Sequence, residues 1–186
     1  MMLKKELRLN FQDRRKKTSP QDVLDASLAI SNKLLELPIW DYQYFHLFLN
    51  SQGKKEIDTS FILTLLQGKD KEVIIPKVHG KALRHFLLMD STVFKNNSWN
   101  IPEPVDGILV PPEKIEVVFL PLLAYDKSGY RVGYGKGYYD VFLSQCKPET
   151  IKIGLSMFEP VDTITDVETH DIAMDYCVTP TTIYSF

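Results

Sequence analysis

Apolar residues recur at helical spacing from the start of the chain. Leu3, Leu7 and Phe11 fall at i, i+4 and i+8 in a charged segment, which predicts a helix over about 3–17. Ser19-Pro20-Gln21-Asp22 restarts the pattern: serine as N-cap, proline at the first helical position and an acid at the third. This second helix is expected to reach Leu37, where Pro38 ends it. Tyr44 to Leu49 is apolar and aromatic and reads as a buried strand. Asn50 to Lys55 is a polar loop, and Ile57 to Gln67 a short helix closed by Gly68. Val73 to Ile75 is a β-branched run stopped by Pro76, and Leu83 to Met89 is a further strand. The stretch from Ser91 to Pro112, with Pro102, Pro104, Pro111 and Pro112, reads as extended or irregular. Ile115 to Leu120 is predicted as a strand, Tyr138 to Gln145 as a helix and Ile151 to Leu155 as a strand. Asp171 to Asp175 reads as a turn, and Tyr176 to Thr179 as a last short strand.

Strands and helices thus alternate from residue 20 to 155, the pattern of an α/β layered domain with a largely parallel sheet. The chain of 186 residues suits a single domain over 1–186, and 44% apolar with 25% charged residues is ordinary for a soluble globular protein. A net charge of −2 argues against nucleic acid as the main partner. The basic run Arg14-Arg15-Lys16-Lys17 reads as last-turn cations facing solvent and suiting a helix dipole. Cys146 and Cys177 fit no metal spacing and read as free thiols. The N-terminus lacks an apolar signal region, and no run approaches the ~20 apolar residues of a membrane span, so the expected location is the cytoplasm.

The densest chemistry lies in Arg131-Val132-Gly133-Tyr134-Gly135-Lys136-Gly137-Tyr138-Tyr139-Asp140, just after the strongest predicted strand. Three glycines at alternate positions let a backbone approach a ligand closely. A strand, a glycine turn and a helix start put free N–H groups where a phosphate can rest. Arg131 and Lys136 add positive charge, and Asp140 adds an oxygen ligand suited to magnesium. In parallel sheets ligands rest beyond the strands' carboxyl ends, where this loop falls. The spacing matches neither a P-loop nor a dinucleotide fingerprint, so a ligand-free glycine turn stays open on the motif alone.

Similar alternatives stand for its neighbours. Tyr138 and Tyr139 can stack on a flat ring or anchor the helix, and one of them is expected in the core. Asp140 can bind metal or serve as a first-turn acid. In His170-Asp171-Ile172-Ala173-Met174-Asp175, either acid can complete a magnesium set with Asp140, or the segment can be a polar turn capping a strand.

Several segments in fixed order carry a resemblance. They are Lys4-Lys5-Glu6-Leu7-Arg8, Glu56-Ile57-Asp58-Thr59, Trp99-Asn100-Ile101-Pro102-Glu103-Pro104, Pro121-Leu122-Leu123-Ala124-Tyr125-Asp126, the Arg131–Asp140 loop, and His170-Asp171 with Asp175. With these the chain resembles the 5-formyltetrahydrofolate cyclo-ligase family (5,10-methenyltetrahydrofolate synthetases) over nearly its whole length. The resemblance implies a three-layer α/β/α fold and a monomeric enzyme acting on small molecules, with no nucleic acid or membrane partner. It implies ATP and magnesium: ATP phosphorylates the formyl oxygen on N5 of the folate, N10 attacks the activated carbon, and phosphate leaves.

Residue by residue, it implies Lys4, Lys5 and Arg8 on the ATP phosphates. Arg131, Gly133, Tyr134, Gly135, Lys136, Gly137, Tyr138 and Tyr139 form the nucleotide loop, with Lys136, Arg131 and Tyr138 catalytic. Leu49, Glu56 and Trp99 stand on the folate side together with Tyr134, Gly135, Lys136, Gly137 and Tyr138, and Asp140 and Asp171 are the magnesium ligands. Two rivals share the architecture: an ATP-dependent enzyme for another amide-bearing substrate, and a binding protein without turnover. The joint presence of Lys136, Asp140 and Asp171 argues against the second. The chain departs from the family pattern at Leu122, where a glycine is usual, so the backbone there must avoid positive φ.

Overall fold

The computed structural model describes residues 2–51 and 53–186. Helix α1 (Lys4–Lys17) buries Leu7 and Phe11 from the apolar stripe, while Leu3 stays half exposed ahead of the first turn. Helix α2 (Pro20–Lys33) begins as its sequence dictates, with the Ser19 hydroxyl accepting from the Asp22 N–H and the Asp22 carboxylate accepting from the Ser19 N–H. One 3₁₀ turn, Leu34–Glu36, carries the chain on to Leu37. Helix α3 (Ser60–Gly68) starts three residues later than expected. The Asp58 carboxylate takes the Ser60 N–H and the Thr59 hydroxyl donates to the Phe48 carbonyl, which fixes both residues outside the helix. Helix α4 (Tyr138–Leu143) ends two residues early.

The strands are β1 (Tyr44–His46), β2 (Glu72–His79), β3 (Ala82–Leu87), β4 (Phe94–Asn96), β5 (Pro102–Pro104), β6 (Val117–Pro121), β7 (Ala124–Tyr125), β8 (Arg131–Val132), β9 (Ile151–Leu155), β10 (Tyr176–Val178) and β11 (Ile183–Ser185). Seven form one sheet in the order β11-β10-β9-β6-β1-β2-β3. Its inner pairs are parallel and its two edge pairs, β2–β3 and β10–β11, antiparallel. Side chains alternate across it as strand geometry demands. Phe45, Val117, Phe119, Ile153 and Val178 join Ile30 of α2, Leu34 of the 3₁₀ turn after it, and Ile62 and Leu66 of α3 on one face. Val118, Leu120 and Cys177 meet Phe142 and Leu143 of α4 on the other. The result is the expected three-layer α/β/α arrangement with a largely parallel sheet.

Four local expectations change. Strand β2 continues through Pro76 to His79, paired with β3. The Val73 carbonyl accepts from Leu88 and the Ile74 carbonyl from Leu47, so even-numbered residues face β1. Pro76 points to that side beyond the last paired residue of β1, where its missing N–H removes no ladder bond. The proline-rich stretch 91–112 contains the antiparallel ribbon β4–β5, in which Ile101 and Val105 bond toward the β4 side. Pro102 and Pro104 therefore point away from β4 and leave the ribbon intact. Strand β1 closes after His46, because the chain beyond it peels away to line a cavity. Strand β11, too short to show a pattern, adds an edge beyond β10.

His46 and His85 pack against Phe142 beneath α4, with ring centroids 4.7 and 4.0 Å from the phenyl ring. Both are buried, and none of their four ring nitrogens has a hydrogen-bond partner among the described residues. Burial holds His46 well below the usual histidine range, with His85 adding to the effect, and holds His85 down to about 4. Above pH 6.5 both rings are neutral whether the chain is folded or not. As pH falls from 6.5 toward 4 the unfolded chain binds protons that the folded one refuses, so stability drops, by about 3 kcal/mol from His85 alone once pH is below its folded value. Denaturant titrations at pH 7 and 4.5 should show this loss, and His85→Leu should shrink it. An unchanged pH slope in the variant would mean the ring titrates as freely inside as out.

Candidate functional site

The carboxyl ends of β1 and β6 open beneath a loop held by a hairpin. Strand β6 runs on through Leu122, whose φ is not positive despite its place at a usual glycine position, into the pair β7–β8. Asp126 fixes that pair, with Oδ1 accepting from the Ser128 and Tyr130 N–H groups and Oδ2 from Ile164. The segment 133–137 then bridges β8 to α4. Gly135 and Gly137 have φ of 87° and 72°, a conformation that side chains rarely adopt, while Gly133 does not need it. Helix α4 is only six residues long. The loop's amides and nearby cations, more than a helix dipole, therefore make this end attractive to anions.

Helix α1 lies along the loop. Arg8 Nε donates to the Gly133 carbonyl at 2.9 Å, and its guanidinium carbon lies 3.3 Å from where a Cβ on Gly135 would stand. The Lys4 N–H donates to Asp166 Oδ1 at 2.8 Å, and the Lys4 ammonium pairs with Asp171 Oδ2. Asp171 is held below the usual carboxylate range: partial burial opposes this, but the Glu168 N–H and the Lys4 ammonium outweigh it. Arg131, almost fully buried, donates to Asp140 Oδ1 at 2.8 Å and to the Ile172 carbonyl at 2.6 Å.

Across the opening stands Glu56. It accepts from the Ser51 N–H at 2.8 Å on Oε2 and from the Tyr134 hydroxyl at 2.8 Å on Oε1. Ser51 in turn donates to the Trp99 carbonyl, tying the 99–104 segment to this wall.

A cavity of about 620 Å³ lies between these walls, large enough for a nucleotide and part of a second ligand. All the site residues that the resemblance implies line it: Lys4, Lys5, Arg8, Leu49, Glu56, Trp99, Arg131, Gly133 to Asp140, and Asp171. Tyr139 is the tyrosine packed into both core layers, leaving Tyr138 to face the cavity. Asp175 is elsewhere: its carboxylate takes the Lys152 N–H and ammonium, capping β9. Arg15 reverses the reading of the basic run as solvent-facing. It is buried, with its guanidinium on the Tyr134 hydroxyl and the Leu122 carbonyl. Its place was marked in the sequence, because Leu7, Phe11 and Arg15 continue one i, i+4 stripe.

Six cations and six carboxylates line the cavity. Asp140 and Asp171 each commit one oxygen to a cation and a backbone N–H and keep the other free among the described residues. No group of three or more His, Cys, Asp or Glu able to hold a metal occurs among the described residues. Two carboxylates with one free oxygen each fit a magnesium ion that takes its other ligands from phosphates and water.

A sheet with its ligand cavity beyond the carboxyl ends, a glycine loop and a lining of paired cations and acids define an α/β protein built to bind charged small molecules. The profile of the 5-formyltetrahydrofolate cyclo-ligase family matches residues 1–180, and the chain belongs to that family, a family of ligases. It is 28% identical over 188 residues to the mouse 5-formyltetrahydrofolate cyclo-ligase, covering 92% of this chain and 91% of the mouse protein. It is 27% identical to a probable 5-formyltetrahydrofolate cyclo-ligase of Schizosaccharomyces pombe, covering 97% of each. The solution structure of the Aquifex aeolicus 5,10-methenyltetrahydrofolate synthetase superposes with a TM-score of 0.85 at 30% identity, over 99% of this chain and 93% of that one.

Gly135→Ala should strain the backbone by about 1–2 kcal/mol and push the Arg8 guanidinium off the loop. ATP affinity measured by calorimetry should fall, whereas Gly133→Ala, which meets open space at ordinary φ, should change it much less. Equal effects would mean that the geometry at 135 is not what shapes the loop.

Proposed function

We propose that the chain, as one domain over 1–186, converts 5-formyltetrahydrofolate to 5,10-methenyltetrahydrofolate with ATP and magnesium, releasing ADP and phosphate. The observation that carries this reading is the single cavity that gathers a cationic glycine loop, two half-committed carboxylates and the Glu56 wall. In this reading the formyl oxygen attacks the terminal phosphorus of ATP and ADP leaves with the bonding electrons. N10 then adds to the activated formyl carbon and gives up its proton to solvent, and the phosphate departs with its oxygen as the ring closes.

An amide-like oxygen is a weak nucleophile, so catalysis rests on positioning and on neutralising phosphoryl charge. Lys4, Lys5 and Arg8 hold the phosphate chain from α1, and the amides of Gly133, Gly135 and Gly137 cradle it. Lys136, exposed at the loop tip, neutralises the moving phosphoryl group. Arg131 orients Asp140, and Tyr138 stands between nucleotide and folate. Tyr139 anchors that end of the loop in the core, and Leu49, Trp99 and Glu56 hold the pterin side. Asp140 and Asp171 would hold magnesium, which when bound draws charge from the phosphates. The ligand pair of ATP and magnesium also accounts for a lining with as many acids as cations.

The reaction is placed in the cytoplasm, in a monomer acting on small molecules without nucleic acid or membrane partners. In support, the net charge is −2, and no helix among the described residues is long and apolar enough to cross a membrane.

The near-ultraviolet absorbance of the methenyl product should rise in a mixture of protein, 5-formyltetrahydrofolate, ATP and Mg²⁺, and stay flat when ATP or metal is left out. No rise with folate still bound would shift the reading to another substrate or to a binding protein. Lys136→Ala should lower kcat on the order of 100-fold or more, with the folate Kd within about twofold. Equal loss of both would sink its role in phosphoryl transfer. Asp140→Asn should weaken ATP binding in the presence of Mg²⁺ and not in its absence; unchanged metal dependence would leave Asp140 as a partner of Arg131 alone.

A further inference from the structure

We infer that Arg15 is a positioning residue that acts through the Tyr134 hydroxyl to hold Glu56 aimed into the folate side of the cavity. The inference rests on the proposed placing of the folate beside Glu56 and adds the groups that hold that carboxylate.

The Glu56 side chain is only 6% exposed, and a buried polar group needs hydrogen-bond partners to hold it in place. Its partners form a chain. Arg15 Nη1 is 3.1 Å from the Tyr134 oxygen, that hydroxyl is 2.8 Å from Glu56 Oε1, and Arg15 Nη1 itself is 3.9 Å from the same oxygen. A phenol has one proton and two lone pairs, and an arginine only donates. The order is therefore fixed: Arg15 donates to Tyr134, and Tyr134 donates to Glu56. Burial and the neighbouring Glu56 push the Tyr134 hydroxyl up from its usual value, so it keeps the proton this order needs.

The far end of the chain is rigid. The second guanidinium nitrogen of Arg15 donates to the Leu122 carbonyl just beyond β6, and Arg15 continues the buried stripe of α1. With the Ser51 N–H on Oε2 and the Tyr134 hydroxyl on Oε1, each Glu56 oxygen has one neutral donor among the described residues and a lone pair left over there. A carboxylate presenting two free lone pairs is the shape that accepts paired N–H donors, which a reduced pterin ring carries side by side. Tyr134 also belongs to the glycine loop, so the same hydroxyl ties the loop's tip to the opposite wall. Lysine cannot replace the arginine fully, because one ammonium cannot reach the Tyr134 oxygen and the Leu122 carbonyl as a planar fork does.

The test is direct binding of 5-formyltetrahydrofolate by calorimetry without ATP, so that it is independent of turnover. It uses Arg15→Met, Arg15→Lys, Tyr134→Phe and Glu56→Gln, alone and with each of the first three combined with the last. Arg15→Met and Tyr134→Phe should each raise the folate Kd roughly 10–100-fold, the span expected for a hydrogen bond to a charged group. Arg15→Lys should recover part of it. In the Glu56→Gln background the same changes should add less than about twofold, because their target is gone.

Full additivity with Glu56→Gln, or a loss of thermal stability with folate Kd unchanged, would overturn the positioning role and leave Arg15 as a strut between α1 and β6. Should Arg15→Met fail to fold, Tyr134→Phe, which deletes one oxygen, reads the same chain of contacts. If Glu56→Gln alone leaves the folate Kd unchanged, the placing of folate at Glu56 is what fails.

Discussion

The seating of α1 on the β7–β8 hairpin is the contact on which the site depends. Leu7 and Phe11 close a small apolar cluster with Leu123, Ala124, Val132 and Ile164, away from the two main core layers. Burying two such side chains contributes several kcal/mol, about 1.5–3 kcal/mol each. Everything polar that α1 brings follows from that placement: Arg8 on the Gly133 carbonyl, Lys4 on Asp171 and Asp166, and Arg15 inside the wall. The helix is highly charged, so without this apolar seat little would hold its cations against the loop.

A second constraint is charge balance. Two of the cavity's six cations are already paired with acids that are themselves candidates for metal binding, Lys4 with Asp171 and Arg131 with Asp140. Breaking buried or half-buried pairs is costly, and the cost is recovered only if both partners find new ones. A nucleotide brought together with a divalent cation supplies both at once. The folate wall follows another logic, with neutral donors from Ser51 and Tyr134 surrounding one carboxylate and a single guanidinium behind them.

Much of this was legible in the chain, and the reasons differ by element. The Ser19 capping box, the glycine loop and the β-branched runs are local, so propensity and spacing reported them faithfully. Pro76 and Pro102 misled because a missing N–H matters only on the side facing a partner strand, and which side faces a partner is settled by register. Asp171 and Asp175 looked equivalent four residues apart. The irregular backbone between them turns the first into the cavity and leaves the second on β9.

The sequence alone determined the alternation of strands and helices and the glycine-rich loop, because these rest on neighbours in the chain, and its motifs in their fixed order carried the resemblance to the family. Tertiary structure alone decided which groups Arg15 meets on the buried stripe of α1, Tyr134 with Glu56 behind it, and that Tyr139 rather than Tyr138 enters the core. It also brought His46 and His85 together under Phe142. Each of these is a contact between segments tens of residues apart. Such contacts are set by how layers pack, and no local spacing encodes them.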